Sequence, residues 1–189
     1  MAGVYIAVSN LQTSNKIKSI LQQNGYAVIG QSQDAPNSIR QINTLLPELI
    51  ILGSDLKGVN FWQLLGALAE TKTPIVLLLK EWQQSMIKHA QHYNVFAFVG
   101  EPVSLLNLLP AVSTALANAE RLRHLNAEIG RLKNDLAARK TVEKAKGLLT
   151  QHYNLTEDQA YKYLRKYAMD HSKTMQQVAQ AILLKLNQH

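Results

Sequence analysis

The residues best suited to bind a charged partner are the lysines and arginines in the last third of the chain. Positions 120–189 contain 13 Lys and Arg against 7 Asp and Glu, whereas positions 1–119 contain 7 against 6. Most of the net charge of +7 therefore belongs to the C-terminal third. Such an asymmetry favours a polyanionic partner. A solvated helix surface would carry the same charges without any partner, and composition alone leaves both interpretations open.

Few residues are suited to catalysis or to a metal centre. The chain has no cysteine, which excludes disulfides, thiolate metal ligands and cysteine nucleophiles together. Its six histidines show neither the HExxH motif nor another paired spacing. The sequence contains no nucleophile constellation and no glycine-rich phosphate loop. We therefore predict that the protein is not an enzyme and uses neither a metal nor a cofactor.

The sequence indicates neither secretion nor a membrane location. No basic segment followed by an apolar one opens the chain, and no uncharged apolar run approaches ~18 residues. The absence of cysteine also suits a reducing compartment. We predict a cytoplasmic protein.

Short apolar runs alternate with helix-like stretches up to about residue 102. These runs are VYIAV (4–8), YAVIG (26–30), ELIILG (48–53), PIVLLL (74–79) and AFVG (97–100). Strands that are apolar on both faces and separated by helical lengths are typical of a parallel sheet covered by helices on both sides. We predict an α/β fold with a flavodoxin-like, doubly wound, five-stranded parallel sheet of order 2-1-3-4-5. Functional residues of such a sheet lie at the carboxyl ends of the strands.

After Pro102 the pattern changes to one long helix. Leucine and isoleucine then recur at spacings of three, four, three and four, at Leu122, Leu125, Ile129, Leu132 and Leu136. This heptad pattern predicts a parallel coiled coil and hence a homodimer. Glu128 and Asp135, at g positions, would face the lysines at e positions of the partner helix, which are Lys133 and Lys140. Because the stretch is only about three heptads long, the alternative is that the seam packs against its own domain.

Two capping boxes divide the remaining sequence into helices. Thr156 and Thr174 are each followed three residues later by glutamine. We predict a long helix that ends near Tyr153, a second from 157 to about 170 and a third from 175 to about 187. Their small shared core is predicted to consist of Leu148, Leu149, Tyr161, Leu164, Met169, Val178, Ile182 and Leu186.

The C-terminal segment 138–183 resembles a known family. Its segments AKGLL (145–149), LTEDQAYKYLRKYAM (155–169) and VAQAIL (178–183) follow the pattern of the ANTAR domain. This domain is the RNA-binding output module of transcription antiterminators of the AmiR and NasR type. The strands before it resemble a response-regulator receiver domain. The resemblance therefore implies a pseudo-receiver domain at 1–118, a coiled-coil dimerisation helix at 119–137 and a three-helix ANTAR domain at 138–189.

The same resemblance implies that the receiver-like domain is not phosphorylated. In a receiver the third strand ends on an acceptor aspartate, and this position is occupied by Gly53. The other phosphorylation residues of a receiver are also replaced, at Val8, Ser9, Leu79 and Glu101. Without acidic ligands no Mg²⁺ is held, and phosphoryl transfer depends on that charge. Asp55, two positions after Gly53, is predicted to form an ion pair or cap a turn. The pseudo-receiver would then respond to a regulatory protein partner or to another signal.

An RNA reader needs cations for the phosphates and planar groups for unpaired bases. On the resemblance, the predicted RNA-binding residues are Arg139, Lys140, Lys144, Lys146, Gly147, Lys162, Arg165, Lys166 and Lys173. Lys146 and Arg165 match the family pattern most directly. Gly147 either admits RNA close to the helix or serves tight helix packing. Four interleaved tyrosines (Tyr153, Tyr161, Tyr163 and Tyr167) either stack on bases or, as is commoner at helical spacing, belong to the core.

The implied function is transcription antitermination by a dimer that binds two neighbouring hairpins of a nascent leader transcript. One alternative is a DNA-binding response regulator, although the DHSK linker at 170–173 is not the tight turn of a helix-turn-helix motif. Another is a protein-interaction dimer without RNA activity.

Overall fold

The computed structural model describes residues 1–186, with side chains described as far as Lys185. These residues fall into two compact units, the first from Met1 to Arg123 and the second from His124 onwards. In the described part of the chain no helix has the length and the apolar composition needed to cross a membrane. The predicted three-part division at 118 and 137 remains a prediction.

The first unit contains the predicted parallel sheet. Its strands are β1 (Gly3–Ala7), β2 (Ala27–Ser32), β3 (Leu49–Gly53), β4 (Ile75–Leu79) and β5 (Val95–Gly100). Its helices are α1 (Leu11–Gln23), α2 (Ala35–Leu45), α3 (Phe61–Ala69), α4 (Gln84–Ala90) and the start of α5 (Leu105–Tyr153). All strand pairs are parallel and their order is β2-β1-β3-β4-β5. The predicted α/β class, five strands and 2-1-3-4-5 order are confirmed.

The central strands are buried on both faces, which explains their continuous apolar sequence. Every residue of β3 and β4 is buried. Alternate residues face opposite sides, so that Ile50 joins a cluster with Leu64 of α3, whereas Ile51 joins another with Ile17 of α1 and Leu108 of α5. The two layers of helices therefore hold the carboxyl ends of β3 and β4 in fixed positions.

The long helix α5 continues without interruption from Leu105 to Tyr153. Along it the five seam residues are between 46% and 56% exposed. Helix formation is therefore confirmed over the predicted seam. The side chains do not pack into the core of their own chain, contrary to the alternative interpretation. Dimerisation through them stays a prediction.

The second unit packs the end of α5 against α6 (Glu157–Asp170) and α7 (Met175–Leu186). Both capping boxes are formed. The backbone N–H of Gln159 donates to Thr156 Oγ1 at 3.3 Å and that of Gln177 donates to Thr174 Oγ1 at 3.2 Å. Each glutamine side chain accepts in return from the backbone N–H of its threonine. The predicted helix boundaries are thus confirmed as far as residue 186, and the predicted end near 187 lies outside the described residues.

The small core of this unit consists mainly of small residues. Its buried members are Ala145, Leu149, Ala160, Leu164, Ala168, Val178 and Ala179, with Ile182 partly buried against them. Two predicted core members are wrong, because Tyr161 is 44% exposed and Met169 is 70% exposed. Leu148 is half-buried and is not part of this cluster, and the side chain of Leu186 lies outside the described part. Alanines at the contacts let the helices approach closely, which leaves the large residues at the margins.

Candidate functional site

The predicted cations of α5 lie on two different faces of the helix. At 3.6 residues per turn, positions separated by four and then three residues share a face. Lys140, Lys144 and Gly147 form one such row, and all three are exposed. A Cβ added at Gly147 would meet no atom within 4 Å, so the glycine is not required for tight packing. This row is therefore an open, cationic face of the helix.

The other row consists of Arg139, Glu143 and Lys146. The ammonium of Lys146 lies 2.9 and 3.1 Å from the two carboxylate oxygens of Glu143, and 3.9 Å from Glu157 at the start of α6. The side chain of Lys146 is only 13% exposed. The hydrogen bond to Glu143 raises the pKa of Lys146. Lys146 is therefore an ion-paired lysine with a covered stem, not the open surface cation that the sequence suggests.

The cations on α6 are more accessible. Lys162 pairs with Asp158 one turn earlier, with Nζ and Oδ2 2.6 Å apart, and both side chains are more than 70% exposed. Such an exposed pair contributes little to folding and is easily exchanged for a phosphate. Arg165 and Lys166 are exposed on the same helix. Lys173 is exposed in the turn before α7, after Ser172, which has a φ of 51°.

All four tyrosines of this region are exposed, which excludes the core alternative for them. Their exposed fractions are 60% for Tyr153, 44% for Tyr161, 49% for Tyr163 and 40% for Tyr167. Tyr161 and Arg139 line an open cavity of about 540 Å³ between α5 and the start of α7. Cations and planar rings thus occur together on the surface of this unit, as single-stranded nucleic acid requires.

At the carboxyl edge of the receiver-like sheet the phosphorylation residues are absent, as the sequence predicts. Gly53 ends β3, Leu79 ends β4 with 1% exposure, and Val8 is equally buried. Glu101 follows β5 and precedes Pro102 across a cis peptide bond. The described residues contain no group of three or more His, Asp or Glu side chains arranged to hold a metal.

An ion pair occupies the place where a phosphorylated side chain would stand. Asp55 Oδ2 accepts from Lys80 Nζ and from Ser9 Oγ, both at 2.6 Å. Burial opposes the charged form of Asp55, but these hydrogen bonds outweigh it and lower its pKa. A Cβ added at Gly53 would lie 3.2 Å from Asp55 Oδ1. The ion-pair role predicted for Asp55 is confirmed, and its carboxylate crowds the acceptor position.

Two lysines near these sites could not be recognised from the sequence. Lys80, the partner of Asp55, directly follows β4, and the parallel pairing of Gly53 with Leu78 brings the two strand ends together. The predicted adjacency of β3 and β4 was the only sign of this contact in the sequence. Lys185 lines a small groove with Tyr163 and Tyr167. Its position near the end of the last helix gave no indication of this.

The comparisons with known proteins agree with these two units. The ANTAR domain family matches residues 130–183. The chain is 28% identical over 181 residues to the transcriptional regulatory protein PdtaR of Mycobacterium tuberculosis. The aligned region covers 95% of this chain and 88% of that protein. The chain is also 40% identical over 76 residues to the nitrate regulatory protein of Klebsiella oxytoca. This aligned region covers 40% of this chain and 18% of that protein.

Among solved structures, the signal receiver domain of a modulated diguanylate cyclase from Desulfovibrio desulfuricans superposes with a TM-score of 0.58 at 20% identity. The match covers 64% of this chain and 97% of that domain. This likeness concerns the fold alone. Residues 130–183 therefore match the ANTAR domain family, and the unit before them has the fold of a receiver domain with its phosphorylation residues replaced.

Proposed function

We propose that this protein is a cytoplasmic RNA-binding regulator of transcription antitermination that acts as a homodimer and is controlled without phosphorylation. The observation that carries the proposal is the co-occurrence, on one ANTAR unit, of exposed cations and exposed tyrosines around a small packed core. Phosphates attract the cations, and unpaired bases stack on the rings. A helical unit built only for protein contact would not need both.

The proposed mechanism is steric and requires no catalysis. Each protomer holds one hairpin of a nascent leader transcript, and the two hairpins are neighbours. A hairpin held in this way cannot contribute its nucleotides to an overlapping terminator stem, so that transcription continues. Regulation acts through the receiver-like domain, whose signal is a regulatory protein or another non-covalent input.

RNA binding is tested with a pool of two-hairpin RNAs whose loops are randomised, so that the protein itself selects the loop sequence. The full-length protein should enrich particular loop sequences at moderate salt. It should bind a selected RNA on the order of 10³-fold more tightly than duplex DNA of the same sequence, by analogy with specific over non-specific binding. Equal binding to both would favour the DNA-binding alternative. No binding to either would favour an interaction dimer without nucleic acid.

The function itself is tested by transcription in vitro. The selected RNA is placed so that its second hairpin overlaps a terminator stem, and readthrough is measured with and without protein. We expect protein to increase readthrough on this template and not on one whose loops carry substituted bases. Binding without any change in readthrough would contradict antitermination while leaving RNA binding intact.

Phosphorylation is expected to fail even after the acceptor is restored. Acetyl phosphate with Mg²⁺ should label neither the parent nor a Gly53→Asp variant, since Val8 and Ser9 supply no metal ligands. The new carboxylate would also stand beside that of Asp55, which lies only 3.2 Å from the added Cβ. The measurement is acid-labile phosphate by intact mass, with a phosphorylatable receiver as positive control. Labelling of Asp55 in the parent would refute control without phosphorylation.

A further inference from the structure

Three planar side chains lie in a row along α6 and just beyond its end. Tyr163, Tyr167 and His171 are spaced by four residues and therefore share a face. The ring centroids of the two tyrosines are 6.3 Å apart with planes inclined by 30°. Those of Tyr167 and His171 are 4.0 Å apart and nearly parallel, at 16°. The row is a continuous aromatic surface that remains accessible to solvent.

His171 is held in place against Tyr167. Its Nδ1 lies 3.0 Å from the backbone carbonyl oxygen of Tyr167. Because a carbonyl only accepts, Nδ1 carries the hydrogen in this contact. His171 also caps α6, with its backbone N–H bonded to the same carbonyl. The stack is thus ordered before any ligand arrives, which lowers the entropic cost of binding.

The tyrosine rings form one wall of a groove between α6 and α7. This groove has a volume of about 160 Å³, and its lining is completed by Val178, Ala181, Ile182 and Lys185. Its floor is apolar and its rim carries the single ammonium group of Lys185. A flat apolar ring system with a negative charge a short distance away would match both features. A nucleotide has this combination, with its base on the rings and its phosphate near the lysine.

The groove would also accept an apolar side chain, but its surroundings favour a polyanion. Positions 120–189 contain 13 basic against 7 acidic residues. We propose that Tyr163 and Tyr167 bind an unpaired base of the RNA by stacking, that Lys185 contacts the phosphate beside it, and that His171 positions the ring of Tyr167. This inference rests on the proposed RNA-binding function and assigns the residues that receive a base.

The test uses full-length variants and an RNA selected from the randomised two-hairpin pool. Tyr163→Ala and Tyr167→Ala should each weaken binding about 5- to 150-fold, as expected for the loss of one stacked base. The Tyr→Phe variants keep the ring and should bind within about twofold of the parent. Tyr→Leu variants retain apolar bulk without the ring and should behave like the alanine variants.

The salt dependence of binding separates stacking from charge. The tyrosine variants should keep the parent's slope of log K against log salt, because no phosphate contact is lost, whereas Lys185→Gln should reduce that slope by about 1. His171→Ala should weaken binding less than Tyr167→Ala. Met169→Ala is the matched control, since Met169 is 70% exposed on the same helix but points about 200° away from Tyr167.

The outcomes separate this inference from the proposed function. If the parent selects no RNA from the pool, RNA binding itself is wrong. If the parent binds and the leucine variants match it, with unchanged melting temperatures, the rings do not stack on a base and the inference is overturned. Loss of dimer mass in the tyrosine variants would also overturn it, because the groove would then be an interface between copies of the chain.

Discussion

Replacing Ile129 with aspartate should convert the proposed dimer to a monomer and weaken its binding to a two-hairpin RNA by about 10²- to 10⁴-fold. Ile129 occupies an a position at the centre of the seam and is 48% exposed in the single chain. In a parallel dimer the two introduced carboxylates would face each other in an apolar interface, where unpaired charge is expensive. Loss of the second RNA-binding unit then removes the avidity of a bivalent complex.

Sedimentation measures the mass, and titration with one-hairpin and two-hairpin RNAs measures the avidity. Ile129→Asp should bind a single hairpin with the parent's affinity while losing its preference for two. Asn134→Asp is the matched control, because it adds the same charge at the outward f position of the heptad. An unchanged mass would show that the seam is not the interface. A monomer that retained full two-hairpin affinity would show that tight binding of two hairpins does not require dimerisation.

The receiver-like fold could be predicted because its signals are local and redundant. The five apolar runs stand at every strand, and glycine and proline mark the connections between them. The boundaries of α6 were equally predictable, since the capping residues Thr156 and Gln159 use their own side chains to satisfy the backbone at the helix start. In both cases the determining atoms are close in sequence.

The small C-terminal core was predicted less well because apolar size was taken as the guide to burial. Tyr161 and Met169 follow helical spacing but lie away from the contact, which is built by Ala160, Leu164 and Ala168 at intervals of four. Because alanine side chains are small, helices that meet at alanines approach each other closely. The close approach leaves no room for larger residues at the contact. The sequence does not distinguish such an alanine from one on the surface. Whether the interleaved tyrosines are buried or exposed therefore stayed open at the level of sequence, and the aromatic row on α6 was not predicted.

The ion pair at the sheet edge depends on atoms that are distant in sequence. Asp55 was expected to form an ion pair, but its partner Lys80 lies 25 positions later and meets it only because β3 and β4 pair in a fixed register. Lys146 illustrates the same limit. Its i,i+3 relation to Glu143 is visible in the sequence, whereas the covering of its stem depends on the packing of the helices.

Lys146 and Arg165 should therefore respond differently to substitution, although both match the family pattern. Lys146→Ala removes a covered stem as well as a charge and should lower the melting temperature by a few degrees. Lys146→Met keeps most of the stem and should melt close to the parent. Arg165→Ala should leave melting and dimer mass unchanged, because an exposed cation contributes little to folding.

Lys146 and Arg165 should also affect RNA binding differently, depending on whether each contacts a phosphate or a base. If the ammonium of Lys146 contacts phosphate, Lys146→Met should weaken all hairpin RNAs alike and reduce the salt slope by about 1. A base contact by Arg165 would instead relax the selected loop sequence, at a cost of about 5- to 150-fold in affinity. Both variants binding as tightly as the parent across the salt series would contradict this RNA surface and favour the interaction-dimer alternative.

Substitution of Glu143 provides the sharpest test of whether Lys146 contacts the RNA. The carboxylate of Glu143 lies 2.9 Å from the ammonium of Lys146 and neutralises its charge. Glu143→Gln should strengthen RNA binding, since the substitution removes a like charge facing the phosphates and leaves the ammonium to the RNA. In a double-mutant cycle this gain should disappear when Lys146 is already methionine. Asp170→Asn, which removes an exposed carboxylate at the end of α6, controls for a general change in net charge. An equal gain from both acidic substitutions, or a gain from Glu143→Gln that persists without Lys146, would mean that Lys146 does not contact the RNA.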